Sequence, residues 1–151
     1  MNKLSLFAAS VTVAAATLSP LSAGANEVPP YVVEASHTIP APAEGADWIV
    51  DEQESNFEPT RELSYVVLET EMGTASSPKQ LMLFHYGQYL GTGTIHHVGY
   101  QRIVGFGDNY VTVEYGTPGQ SNADVIWHEP VTYEFVGGHV EMHGTIPGHT
   151  E

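Results

Sequence analysis

Apolar and polar residues alternate in short runs from residue 62 onward, and Gly-containing turns separate the runs. An alternation with a period of two is the side-chain pattern of a β-strand. Six runs are predicted to be strands, namely Leu63–Glu71, Lys79–Tyr86, Gln88–Ile95, Tyr110–Tyr115, Val131–Val136 and His139–His143. Weaker strand signals are present at Arg102–Gly105 and Asp124–Trp127. No amphipathic helical period is present beyond residue 62. We therefore predict a mostly β, single small domain, built as an antiparallel curved sheet or open barrel of about six strands.

The sharpest of these patterns is a hairpin near the C-terminal end of the chain. Gly137-Gly138 joins two alternating runs, and a glycine pair is typical of a two-residue hairpin turn. A turn at this point predicts that Tyr133 lies opposite Met142 and that Phe135 lies opposite Val140, on the buried face of the hairpin.

A second hairpin is predicted around Gly87. A turn there places Phe84 opposite Tyr89 on one face and Leu83 opposite Leu90 on the other. Both faces of this hairpin are apolar, which predicts a central position in the sheet.

Residues 26–60 have a different composition, with five prolines, eight acidic residues and no regular spacing of apolar side chains. Such a composition is typical of an extended chain that buries little surface. We predict an extended acidic leader that precedes a β domain of residues 61–151. Trp48-Ile49-Val50 is the piece of the leader expected to dock onto the domain, because its large side chains would gain from burial.

Residues 1–25 have the pattern of a secretory signal peptide. Lys3 precedes a short apolar run, and the small residues Ala23 and Ala25 lie three positions and one position before a cleavage point at Asn26. A transmembrane anchor is the alternative, but a span needs roughly 20 apolar residues and this run is shorter and interrupted by Ser and Thr. The chain is therefore expected to be secreted, or held in the cell envelope, after cleavage behind Ala25, and no later stretch could span a bilayer.

The balance of charge is strongly acidic, with 18 Asp and Glu against 4 Lys and Arg, and a net charge of −14 at pH 7. Nucleic-acid partners are not expected, since their phosphates are bound through Lys and Arg. Attraction to an anionic membrane is disfavoured for the same reason. The chain has no cysteine, which excludes disulfides, thiol catalysis and zinc–thiolate sites.

Several motifs resemble one known family. The most distinctive is Phe-His-x-Gly-x-Tyr-Leu-Gly-Thr over residues 84–92, and further matching stretches are Leu63–Val67, Ser76–Pro78, Asn109–Tyr115 and Gly144–Pro147. Together they resemble the LppP/LprE lipoproteins of the actinobacterial cell envelope. The resemblance implies a periplasmic or cell-surface domain of unassigned activity. It also implies a lipid-bearing cysteine, which this sequence does not contain, so free secretion is expected beside envelope association.

Histidine is unusually frequent, with eight residues in the chain. In the predicted C-terminal hairpin, His139, Glu141 and His143 share the outer face, and Glu134 stands opposite Glu141. Like charges opposite each other are destabilising, and a bound cation would relieve them. One interpretation is a zinc or copper site completed by His128; the other is a solvated polar strand face.

Candidate residues for a ligand-binding groove are His85, Tyr86, Tyr89, Tyr100 and Trp127. His85 could instead bond to a backbone group and fix the nearby turn.

Enzyme motifs are missing from the sequence. Gly105-Phe106-Gly107 lacks the third glycine of a dinucleotide site, and neither Gly-x-Ser-x-Gly nor His-Glu-x-x-His occurs. We predict a non-catalytic binding or interaction module that needs no cofactor and recognises a component or ligand of the envelope. An exported metal-binding protein is the alternative, and a hydrolase with an unrecognised site is the third hypothesis.

Overall fold

The computed structural model describes residues 27–148, which form one short helix and nine strands in two antiparallel sheets. The elements are α1 (Pro30–Ser36), β1 (Trp48–Val50), β2 (Ser64–Thr70), β3 (Lys79–His85), β4 (Gln88–Thr92), β5 (Tyr100–Phe106), β6 (Tyr110–Pro118), β7 (Val125–Trp127), β8 (Val131–Val136) and β9 (His139–His143). The first sheet has the order β1-β2-β3-β4; the second has the order β5-β6-β8-β9, with β7 paired to β6. The mostly β prediction is confirmed. Over residues 27–148 the strands do not close into a barrel, and no helix is long and apolar enough to cross a bilayer.

The larger core lies between the two sheets. Alternation along β6 buries Val111, Val113 and Tyr115, as their spacing predicts, while Thr112 and Glu114 are only partly buried. These side chains pack with apolar residues of β2, β3 and β8. The hydroxyls of Tyr115 and Tyr133 form a buried hydrogen bond of 2.8 Å inside this core. Burial raises the pKa of both phenols, so each stays neutral and fully available as a hydrogen-bonding group.

The first sheet is apolar on both faces and forms the middle layer of the molecule. Its second face carries Val66, Leu68, Met82 and Phe84, all fully buried in a separate core cluster. A sheet buried on both faces has near-continuous apolar strands, which explains the lack of strict alternation along β2 and β3. The cover of this second face comes from residues that precede β2.

Residues 27–50, here called the N-terminal segment, supply most of that cover. The expectation of an extended leader is wrong for α1, in which Pro30 takes the first helical position, a site that suits the fixed φ of proline. Val32 of this helix is fully buried in the second core cluster. The predicted docking of Trp48-Ile49-Val50 is confirmed, because these residues form β1 and pair with β2.

The two predicted hairpins are both present, with one difference in register. Tyr133 pairs with Met142 and Phe135 with Val140, as predicted. In the central hairpin Phe84 pairs with Tyr89, also as predicted.

The pairing predicted between Leu83 and Leu90 is wrong, since Leu83 pairs with Gly91 across a β-bulge. The pairing skips Leu90, and an extra residue in one strand shifts every later pair. Gly91, next to it, has a φ of 138°, which glycine adopts readily. The predicted central position holds for β3 only, because β4 is the edge strand of its sheet.

Candidate functional site

An open cleft of about 400 Å³ lies where the N-terminal segment meets the β4 edge of the first sheet. We call it the Trp48 cleft. Its lining residues are Thr38, Ile39, Pro40, Ala41, Trp48, Gln80, Tyr89, Gly91, Thr92, Ile95, His96 and His97. The volume falls in the range that small-molecule sites occupy, roughly 300–1,000 Å³.

Trp48 forms a fixed wall of the cleft. Its backbone pairs with Thr70 of β2, and its indole N–H donates a hydrogen bond of 2.9 Å to the carbonyl of Pro40. That bond holds residues 38–41 beside the indole ring. The imidazole of His97 stands edge-on to the indole, with 6.3 Å between the ring centroids. The cleft is therefore built from two stretches of chain that lie far apart in the sequence.

The opposite wall is a loop of residues 93–99 that is tied to β3. The Gln80 side-chain oxygen accepts hydrogen bonds of 3.0 Å from the Leu81 amide and the Thr94 hydroxyl, and its amide donates to the Thr94 carbonyl at 3.3 Å. At the far end of the loop, the amide and carbonyl of Val98 bond to Lys79. The polar atoms behind the cleft thus find partners within the protein, and few of them remain for a ligand.

The lining of the cleft has no formal charge, although the chain carries 18 acidic residues. None of the twelve lining residues is Asp, Glu, Lys or Arg, and two of them, His96 and His97, are histidines. Burial raises the pKa of the Tyr89 phenol, which keeps this group neutral as well. The cleft is an uncharged surface on an acidic protein.

Of the five residues predicted for a ligand groove, Tyr89 lines this cleft. His85 lies elsewhere, where its Nδ1 is 2.7 Å from the carbonyl of Glu62 and its ring stacks on Phe135 with 3.9 Å between centroids. It therefore makes the backbone contact foreseen as its structural role. Tyr86 is exposed in the β3–β4 turn, next to His85.

The remaining two candidates belong to the second sheet. The Tyr100 hydroxyl donates a hydrogen bond of 2.9 Å to the Asn122 carbonyl. Trp127 lies under the guanidinium of Arg102, which is 4.0 Å from the ring centroid. The structure thus does not bring the five predicted groove residues into one site.

The predicted metal ligands are only partly brought together. On the outer face of the C-terminal hairpin, His139 Nε2 is 3.3 Å from Glu141 Oε1, and His143 Nε2 is 3.3 Å from Glu134 Oε2. His128 bonds instead to the Thr117 hydroxyl on β6, at 2.9 Å. Between residues 27 and 148, no group of three or more His, Asp or Glu side chains is arranged to hold a metal ion.

Sequence reasoning missed most of the Trp48 cleft. It identified Trp48 as an anchor for the leader, which is correct, but not as the wall of a site. One local signal could have pointed here, because Ile95-His96-His97 lies in a stretch bounded by Gly93 and Gly99. An apolar residue in a Gly-bounded loop is exposed by default, and Ile95 is indeed 93% exposed.

A model of the family described as LppP/LprE lipoprotein matches residues 55–138, which is more than half of the chain. The match includes β4 and the loop of residues 93–99, which both line the Trp48 cleft, but not the N-terminal segment. No match was found among curated proteins or among solved structures.

Proposed function

The chain belongs to the LppP/LprE lipoprotein family, and from this premise we propose that it is a non-catalytic binding protein whose ligand occupies the Trp48 cleft. Membership of a lipoprotein family indicates association with the cell envelope. One observation carries the binding proposal: a cleft of ligand size is free of charged side chains on a protein of net charge −14.

The lining defines the chemistry of the ligand. Ile39, Pro40, Trp48, Tyr89 and Ile95 offer aliphatic and aromatic surface. Burying apolar surface contributes about 25 cal/mol per Å², whereas a charged group would lose its hydration without meeting a counter-charge. The expected ligand is therefore an uncharged and largely apolar group, such as a ring or a short hydrocarbon chain.

The same lining supports a role without catalysis. Acid–base catalysis needs a titratable side chain within hydrogen-bonding reach of the reacting atoms, commonly a histidine that a carboxylate orients. The twelve lining residues include no Asp or Glu. A hydrolase that uses a histidine oriented by a carboxylate would need a carboxylate there.

Export is part of the proposal. We infer that residues 1–25 direct secretion and that the mature protein begins at Asn26, because a basic start, a short apolar run and small residues at the exit are the features that signal peptidase recognises. N-terminal sequencing of the protein from envelope and culture-supernatant fractions tests this inference. A protein that retains Met1 in both fractions would contradict it.

A charge placed at the mouth of the cleft is expected to weaken binding. The neutral apolar dye N-phenyl-1-naphthylamine should bind the full chain saturably, with a rise in fluorescence. Ile95→Glu should weaken that binding by about tenfold or more, which corresponds to about 1.4 kcal/mol, because the apolar ligand would have to displace hydration from the new carboxylate.

Ile126→Glu is the matched control. Ile126 is 52% exposed on β7 and does not line the cleft, while Ile95 is 93% exposed, so neither substitution should disturb folding. Equal dye affinity of the two variants, or a fluorescence response that never saturates, would rule out the Trp48 cleft as the binding site.

A further inference from the structure

A second cavity, of about 220 Å³, lies between the edge strands of the two sheets, β4 and β9. We call it the β4–β9 seam. Its lining residues are Leu83, Leu90, Gly91, Thr92, Gly93, Tyr133, Val140 and Met142. Leu83, Tyr133 and Val140 also belong to or pack against the larger core, so the seam is an opening from the surface toward that core.

The floor and the mouth of the seam are both apolar. Leu90 and Met142 are exposed at the mouth, whereas Leu83 and Tyr133 are buried. Gly93 keeps β4 close to the second sheet, because a Cβ at this position would come within 3.1 Å of the Leu81 and Tyr133 side chains. An alternating strand could place its apolar side chains in this opening.

The backbone of β9 is open to a partner along the seam. Val136 and His139 close a two-residue turn, and in such a hairpin the closing pair exchanges both main-chain hydrogen bonds while the next pair exchanges none. Val140 and Met142 therefore direct their N–H and C=O groups away from β8. Within residues 27–148 no other strand pairs with β9, and it has neither the proline nor the lysine that commonly protects an edge.

The outer face beside this edge is acidic. Glu134 and Glu141 are cross-strand neighbours, and their contacts are with His139, His143 and the side-chain amide of Asn109. Over the described range neither carboxylate contacts a lysine or an arginine. A strand added to β9 would project every second side chain onto this face, where a basic residue would meet two carboxylates.

We propose that the β4–β9 seam binds an extended segment of another protein, added as a strand to β9, in which apolar residues enter the seam and alternate with basic residues that face Glu134 and Glu141. Strand addition to an open sheet edge is a common mode of peptide recognition, with main-chain bonds for affinity and alternate side chains for specificity. The seam shares Gly91 and Thr92 with the Trp48 cleft but is otherwise lined by different residues, and the proposal does not depend on what that cleft binds.

Charge favours a basic partner over a second copy of this chain. An antiparallel pairing of two β9 strands about their centre would place Glu141 opposite its own copy, with Glu134 close by. Like charges facing each other in a sheet are destabilising, and two chains of net charge −14 repel each other at longer range. A basic segment reverses the sign of both effects.

Two synthetic octapeptides of identical composition test the proposal on the full chain. One alternates lysine and valine, and the other carries four valines followed by four lysines. The alternating peptide is expected to bind in calorimetry at least about tenfold more tightly than the block peptide, because only alternation matches the two faces of β9. Amide exchange should slow at Val140 and Met142 when the alternating peptide binds.

Matched variants separate the seam from general electrostatic attraction. Met142→Lys should weaken binding of the alternating peptide by about tenfold or more, whereas Val104→Lys, an equal charge change on the far edge strand β5, should have little effect. These positions are 49% and 46% exposed, so both variants should fold. Glu141→Gln should weaken binding and flatten its salt dependence, with Glu129→Gln as the control.

Three results would overturn the proposal. The first is equal affinity for the two peptides, and the second is unchanged exchange at Val140 and Met142. The third is a concentration-dependent dimer in sedimentation velocity that protects these amides without peptide, which would make a second copy the occupant. Ile95→Glu should leave peptide binding unchanged, so failure of the Trp48 cleft and failure of the seam give different results.

Discussion

Replacing Phe84 with alanine is expected to lower the free energy of unfolding by about 3–5 kcal/mol. Phe84 is fully buried on the second face of the first sheet. Its ring meets Phe57 edge-on at a centroid distance of 5.1 Å and Tyr89 at 5.5 Å. The substitution removes the apolar surface and both aromatic contacts, and it leaves a cavity between a sheet and a segment that cannot collapse fully.

Urea unfolding measures this effect as a lower midpoint with an unchanged slope. Phe106→Ala is the matched control, because Phe106 is 44% exposed on β5 and should lose less than about 1.5 kcal/mol. Domains of this size have only about 5–15 kcal/mol of stability, so the Phe84 variant should be close to unfolding. Equal midpoints for the two variants would show that Phe84 is not part of a packed core.

Replacing Val32 with aspartate is expected to release the N-terminal segment from the sheet. Val32 is fully buried in α1, in the same core cluster as Trp48, Val66 and Phe84. A carboxylate at position 32 would have no partner in that cluster. Burying this unpaired charge would cost more free energy than the packing of the seven-residue helix contributes. Release of the N-terminal segment is therefore the outcome of lower free energy, and the free energy of unfolding should fall by at least about 2 kcal/mol.

Limited proteolysis and dye binding detect the release. Residues 27–46 should become sensitive to protease while 55–138 resist, and binding of the neutral dye should be lost, because residues 38–41 form a wall of the Trp48 cleft. Val33→Asp is the control one residue away, since Val33 is 40% exposed. A Val32 variant with an intact segment and an unchanged midpoint would contradict the packing of α1 against the sheet.

The N-terminal segment has two roles in this structure. It covers the second apolar face of the first sheet, and it completes the Trp48 cleft. It also lies outside the region that matches the family. Relatives that differ in this segment should accordingly differ in the shape of the cleft while they keep the same pair of sheets.

Local pattern was enough to predict most of the strands. The alternation over Tyr110–Tyr115 predicted which side chains of β6 are buried, and Gly137-Gly138 predicted the register of β8 and β9. Both features depend on neighbours within a few residues, namely the two-residue period of a strand and the turn that joins two strands. The family resemblance also depended on local motifs, and the match over residues 55–138 confirms it.

Features that depend on distant contacts could not be predicted in this way. The helix α1 is too short to be stable alone and exists because Val32 finds an apolar sheet face to bury. The bulge at Leu90 of β4 shifts the pairing with β3 by one residue, and no feature of the local sequence pattern marks it.

Both candidate sites also depend on distant contacts. Trp48 and His97 are brought together by strand pairing and loop anchoring across some fifty residues of chain. The β4–β9 seam exists only because each strand ends its own sheet, and the order of strands in a sheet is decided by long-range packing. The sequence by itself thus determined the strands and their turns, whereas the tertiary structure decided the layers, the sheet edges and the clefts. The reason is that burial of apolar surface joins segments whose local patterns carry no information about each other.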